Sequence, residues 1–216
     1  MNRLSPLVLL LALTASTAEA QEPATGPVPR EASPSEQGAG GDILGVLAGG
    51  ALGLGLHESG HLLFDVIFGA SPGLRPVSFG PIPFFAITHR DVSPAREFVI
   101  ASAGFWLQHA SNEWLLTRNP NLRQTQAPVR KGLLAFNVLA STAYGIAAFA
   151  EAGPAERDTR TMARELRIDE GWVGAMLLAP AALDVWRYHR PESDVARWSS
   201  RAVKIGMVVL ILRAAR

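Results

Sequence analysis

The sequence predicts an all-α protein: a multi-pass membrane helical bundle of about four to five spans, with a small β-hairpin after the first span. Three observations predict it. The chain of 216 residues gathers its apolar side chains into separate blocks, several near the about 20 residues that cross a bilayer. Polar, charged and proline-rich stretches lie between those blocks. A histidine–glutamate–histidine cluster sits inside the first block, where ionisable groups are costly and usually functional. The hydrophobic content of 48% would suit a soluble domain equally, so the distribution decides. A formal net charge of +1 gives no reason to expect a nucleic-acid partner. Without cysteine there is no disulfide and no thiolate metal site, which leaves His, Asp, Glu and backbone oxygens as donors.

Residues 1–20 read as a secretory signal peptide. Arg3 supplies the positive start, Leu7 to Leu13 the apolar stretch, and Ala18-Glu19-Ala20 a cleavage site. Such a segment directs the chain to a bacterial-type inner or cell membrane. Residues 21–41 are rich in Pro, Gly, Ser and Glu without apolar periodicity, and read as a disordered linker. Residues 42–216 then form the membrane-embedded domain. Its predicted spans are 43–70, 98–116, 132–150 and 171–188, with a short fifth run at 205–212 flanked by Lys204 and Arg213, which can snorkel. Between the first two spans, Val77 to Gly80 and Phe84 to Thr88 read as strands around a Gly80-Pro81-Ile82-Pro83 turn. The Arg157–Arg167 stretch reads as a short surface helix. Trp172, Trp186, Tyr188 and Trp198 suit an interfacial aromatic belt.

The chemistry lies in His57-Glu58-Ser59-Gly60-His61. Two histidines four apart share one helix face and can reach one Zn2+ ion. Glu58 can stand beside a water on that ion and take its proton. Gly45, Gly49 and Gly53 precede the motif at four-residue steps, so another helix can approach closely there. Asp65, one further turn along, is placed to orient a histidine or to meet the interface. A hydrolytic zinc site needs a third protein donor. Asp184, in the fourth span just after Pro180, is the preferred candidate. Glu113, sharing a face of the second span with His109 and Asn112, is the alternative.

These motifs resemble the site-2 protease family of intramembrane zinc metalloproteases. The first matches that family's H-E-x-G-H, including Gly60. Ala101 to Gly104 with Asn112 is similar to its A-G-P-x-x-N helix, although Phe105 stands where the family has proline. Leu177 to Asp184 is similar to its L-L-P-x-x-x-L-D-G segment, with Val185 in place of the glycine. The resemblance implies His57, His61 and Asp184 as zinc ligands and Glu58 as general base. It also implies that the hairpin presents substrate as an added strand. The expected function is a zinc-dependent endopeptidase that cleaves membrane-anchored or membrane-adjacent proteins, with membrane lipid as its other partner. Two other readings are a membrane-anchored peptidase using Glu113, and a non-catalytic membrane scaffold with a vestigial zinc site.

Overall fold

Helix α1, Ala39–Phe68, is apolar nearly all round, the pattern of a helix surrounded by protein or lipid. Strands β1, Gly73–Phe79, and β2, Ile82–Thr88, follow as an antiparallel pair. Then come α2, Pro94–Arg118, a single 3₁₀ turn at Leu122–Gln124, and α3, Pro128–Phe149. Helices α4, Asp158–Leu166, α5, Glu170–His189, and α6, Asp194–Ala214, complete the order. The computed structural model describes residues 39–79 and 82–214. The signal peptide, most of the 21–41 linker and the Gly80-Pro81 half of the hairpin turn lie outside the described residues.

Local chemistry sets the boundaries. Proline opens both α2 and α3, where its missing N–H costs nothing and its φ is already helical. Asp169 starts α5 by accepting the Gly171 N–H at 2.7 Å, and the Ser193 hydroxyl accepts the Ala196 N–H at 3.2 Å to start α6. Arg167 closes α4 in a left-handed conformation, φ 56°. Helix α5 continues past Pro180. The hairpin is longer than the sequence suggested, pairing Gly73 with Thr88 through to Phe79 with Ile82. Pro76 and Pro83 fit within it because a two-stranded sheet has only edge strands, where a proline can turn its donor-less nitrogen outward.

Helix α1 packs on α2 and α3, α3 on α5, and α5 on α6, while α4 lies against α2 and α5. The glycine stripe serves the α1–α3 contact. A Cβ on Gly49 would stand 2.1 Å from the Val129 carbonyl oxygen, and one on Gly132 would stand 2.1 Å from that of Val46. One apolar cluster, built on Phe98, Phe105, Met162, Val173 and Leu177, joins α2, α4 and α5. A second, built on Leu115, Leu122 and Leu134, closes the end where α2 meets α3.

The helical class and the hairpin are as expected. Among the described residues, α3 is the one helix whose length and composition suffice to cross a membrane. The other long helices carry polar groups that dilute their apolar character, and many of those groups point inward: Gln108, His109 and Asn112 of α2, Asp184 of α5, Ser200 and Lys204 of α6. The apolar residues Leu44, Leu47 and Val66 of α1 and Ile205 and Leu212 of α6 point outward.

Candidate metal centre

Three side chains converge beneath a cleft. His57 and His61 project from one face of α1, and Asp158 is the first residue of α4. The two Nε2 atoms are 3.2 Å apart. Asp158 Oδ2 lies 3.5 Å from that of His57 and 3.6 Å from that of His61. Both histidines are buried and Asp158 is half-buried. These three residues could hold a metal ion.

The hydrogen bonds behind the rings explain why. His61 Nδ1 lies 2.8 Å from the Ile100 carbonyl oxygen, which can only accept, so the ring carries its proton there. His57 Nδ1 donates likewise to Gln108 Oε1 at 3.2 Å. Each Nε2 therefore presents a lone pair, and the carboxylate oxygen adds a third. With both rings neutral, no proton stands between them. Three lone pairs at 3.2–3.6 Å repel one another unless a cation lies among them. A tetrahedral ion with bonds of about 2.0–2.1 Å holds its donors about 3.3–3.4 Å apart. A ligating histidine that donates its other N–H to a carbonyl is the usual arrangement around metals.

The backbone is shaped to allow this. A Cβ on Gly60 would be 2.7 Å from the Ala103 carbonyl carbon, and a Cβ on Gly104 would be 2.6 Å from the His57 ring. Neither position tolerates a side chain: Gly60 lets α1 meet the α2 backbone, and Gly104 makes room for the His57 ring. Phe105 meets the His57 ring edge-on at 4.9 Å, and Tyr144 stacks on it at 6.1 Å.

Asp158 is held from both sides. Its neighbour Arg157 makes a bidentate pair with Glu170 at 2.7 and 2.6 Å, and Thr159 donates to the same carboxylate at 2.6 Å. Arg157 also donates to the Pro154 carbonyl at 3.1 Å. The start of α4 is thus fixed to the start of α5. Burial pushes the Asp158 carboxyl up, but the charge of the His61 and His57 rings, when they are protonated, outweighs that and holds it below the usual carboxylate range.

Glu58, half-buried, lines the cleft with His61 and Asp158. The cleft has a volume of about 900 Å³ and is bordered by Phe85 to Thr88 of β2, the start of α2, Tyr144 and the 152–158 segment. Strand β2 pairs only with β1 among the described residues, which leaves its other edge without a strand.

The carboxylates expected to complete the site are placed elsewhere. Asp184 is fully buried, accepting from Ser200 at 3.0 Å, Lys204 at 2.6 Å and Asn112 at 3.0 Å. Glu113 is shared by Arg187 at 2.6 Å, Arg201 at 3.0 Å and Lys204 at 3.3 Å. Lys204 does not snorkel outward; it is 8% exposed and turns in to both acids. The expectation of Asp184 as third donor, with Glu113 as its alternative, therefore gives way to Asp158, the acid that groups with the two histidines. Asp65 is buried, and its carboxylate makes no hydrogen bond among the described residues. Of the two roles open to Asp65, orienting a histidine or meeting the interface, the first is taken at His61 by the Ile100 carbonyl, 2.8 Å from Nδ1. Asn112 also accepts from Asn137 at 2.8 Å, which ties α2 to α3 and α5.

Asp158 escaped sequence reasoning because it stands in a charged stretch with Glu151, Glu156 and Glu165. The one local signal was an acidic residue opening a predicted helix, which ordinarily reads as a favourable helix-dipole charge. Comparison with protein-family models, with curated proteins and with solved structures found no match for this chain.

Proposed function

We propose that the chain is a zinc-dependent endopeptidase of a membrane, acting on membrane-anchored or membrane-adjacent protein substrates. The observation that carries this reading is the set of three convergent lone pairs on His57, His61 and Asp158 at the floor of a cleft that also holds Glu58. Zinc suits two imidazoles and one carboxylate in a tetrahedral arrangement with one position left open. Bound there, it would supply a water activated at neutral pH and a Lewis acid for the scissile carbonyl. Glu58 accepts the proton of the attacking water and returns it to the leaving nitrogen as the C–N bond breaks. Asp158 and the two imidazoles hold their positions throughout. The open edge of β2 offers main-chain hydrogen bonds to an extended peptide, which fits a substrate drawn out as a strand along the cleft.

The membrane part of the reading rests on an inverted surface. Helices α1, α2, α3, α5 and α6 have 30, 25, 22, 20 and 21 residues, each enough for the about 20 a bilayer needs. Buried polar groups combined with exposed large apolar ones reverse the soluble pattern. Exposed Trp172 lies at the start of α5, while Trp114, Trp186 and Trp198 lie where α2 and α5 end and α6 begins, as interfacial anchors do.

The test is metal analysis and proteolysis on detergent-purified protein, with β-casein and a membrane-anchored reporter as substrates. About one zinc per chain is expected. Glu58→Gln should keep the zinc and lose at least about 100-fold in cleavage. A chain without zinc, or cleavage unchanged in Glu58→Gln, would overturn the reading.

A further inference from the structure

The proposed reaction assigns the charge on the scissile carbonyl oxygen to the metal alone and names no residue of the chain for it. As water adds to a peptide carbonyl, charge develops on the carbonyl oxygen, and a fixed donor aimed at that oxygen lowers the barrier. Glu58 cannot be that donor while it carries the proton traffic. The arginines that line the cleft are already committed: Arg75 to Glu156 at 2.8 Å, Arg157 to Glu170, and Arg164 to Glu165 at 2.7 Å.

Tyr144 differs from them. It projects from α3 into the cleft beside Glu58, His61 and Asp158. Its ring is fixed on two sides, stacked on His57 with planes 29° apart and edge-on to Phe105 at 5.1 Å. Its hydroxyl makes no hydrogen bond among the described residues and is not sealed from the cleft. A tyrosine that needed only to pack would not require this oxygen. An ordinary phenol titrates near about 10, so at neutral pH it is a donor.

We infer that Tyr144 is a further catalytic residue, whose O–H donates a hydrogen bond to the scissile carbonyl oxygen as that oxygen becomes negative. No proton is transferred by it; the bond strengthens as charge builds and relaxes when the C–N bond has broken. The ring's contacts with His57 and Phe105 fix where the phenol oxygen stands. This inference rests on the peptidase reading.

The test uses the full chain in detergent, loaded with Co2+ in place of zinc and titrated with acetohydroxamate. The two oxygens of that probe chelate such an ion, and its carbonyl oxygen stands where the attacked one would. Tyr144→Phe keeps the ring and removes only the hydroxyl. It should bind Co2+ within twofold of wild type and bind acetohydroxamate about 10- to 100-fold more weakly, as expected for a lost hydrogen bond to a charged group. With β-casein, the same variant should lose kcat and keep KM. Equal acetohydroxamate affinity in the two proteins would overturn the inference and leave the peptidase reading standing. Loss of Co2+ from Tyr144→Phe would also overturn it, making the tyrosine a support for His57. Failure of the wild-type chain to bind Co2+ would overturn the metal reading, and this inference with it.

Discussion

Two buried carboxylates in this molecule solve the same electrostatic problem in opposite ways. Asp184 lies in the α2–α5–α6 contact and receives its cation from the chain itself, through Lys204 at 2.6 Å. Asp158, at the start of α4, faces two imidazoles whose Nε2 atoms, in the neutral rings, present lone pairs rather than protons. The first arrangement is electrically complete. The second, with neutral rings, lacks a cation of its own, and its three donors could take one from outside. Burial and charge alone therefore do not separate a candidate metal ligand from an ion-paired acid; the groups that face it do.

Exchanging the two acids' fates gives the largest expected effect. Asp158→Ala should abolish zinc retention through gel filtration, while Asp184→Ala should leave about one zinc per chain in whatever fraction folds. The reverse outcome would return Asp184 to the site and dissolve the comparison.

The second effect is on stability. Removing one partner of a buried pair leaves a charge without compensation and costs about 3–5 kcal/mol. Lys204→Met should therefore lower the unfolding midpoint strongly in a denaturant titration, whereas the combined Asp184→Asn, Lys204→Met protein should recover much of the loss. Equal destabilisation of single and double variants would mean that Asp184 depends on Asn112 and Ser200 rather than on the lysine.

A smaller effect sharpens the description of Asp158. Its two chain neighbours both hold Glu170. Glu170→Gln weakens the grip on Arg157 without touching a metal donor, and should cost about 10- to 100-fold in zinc affinity. Competition with a chelator of known affinity measures it. An unchanged affinity would mean that the packing of Met162 and Ala163 alone places α4.

Much of this was legible in the sequence, for identifiable reasons. His57, Glu58 and His61 could be grouped because their relation is set within one helix, where spacing determines direction. Gly60 and the Gly49 stripe were legible for the same reason. The hairpin and the short helix near residue 160 could be read from proline, glycine and charge punctuation. Asp158 could not, because its role depends on where a linker lands across the bundle, and its neighbours Glu156 and Glu165 have the same chemistry. Asp184 misled because Lys204 was read with its own helix, as a charge reaching for the interface. Only the packing of α6 on α5 turns that lysine inward.

The separation in sequence between the histidine pair and Asp158 has a temporal meaning. During synthesis the two rings emerge early, and their carboxylate partner follows only after two more long helices have been made. An ion that needs all three donors cannot be gripped by a half-finished chain. On the proposed reading, the order of the polypeptide works as a fuse, arming the centre only when the structure around it is nearly whole.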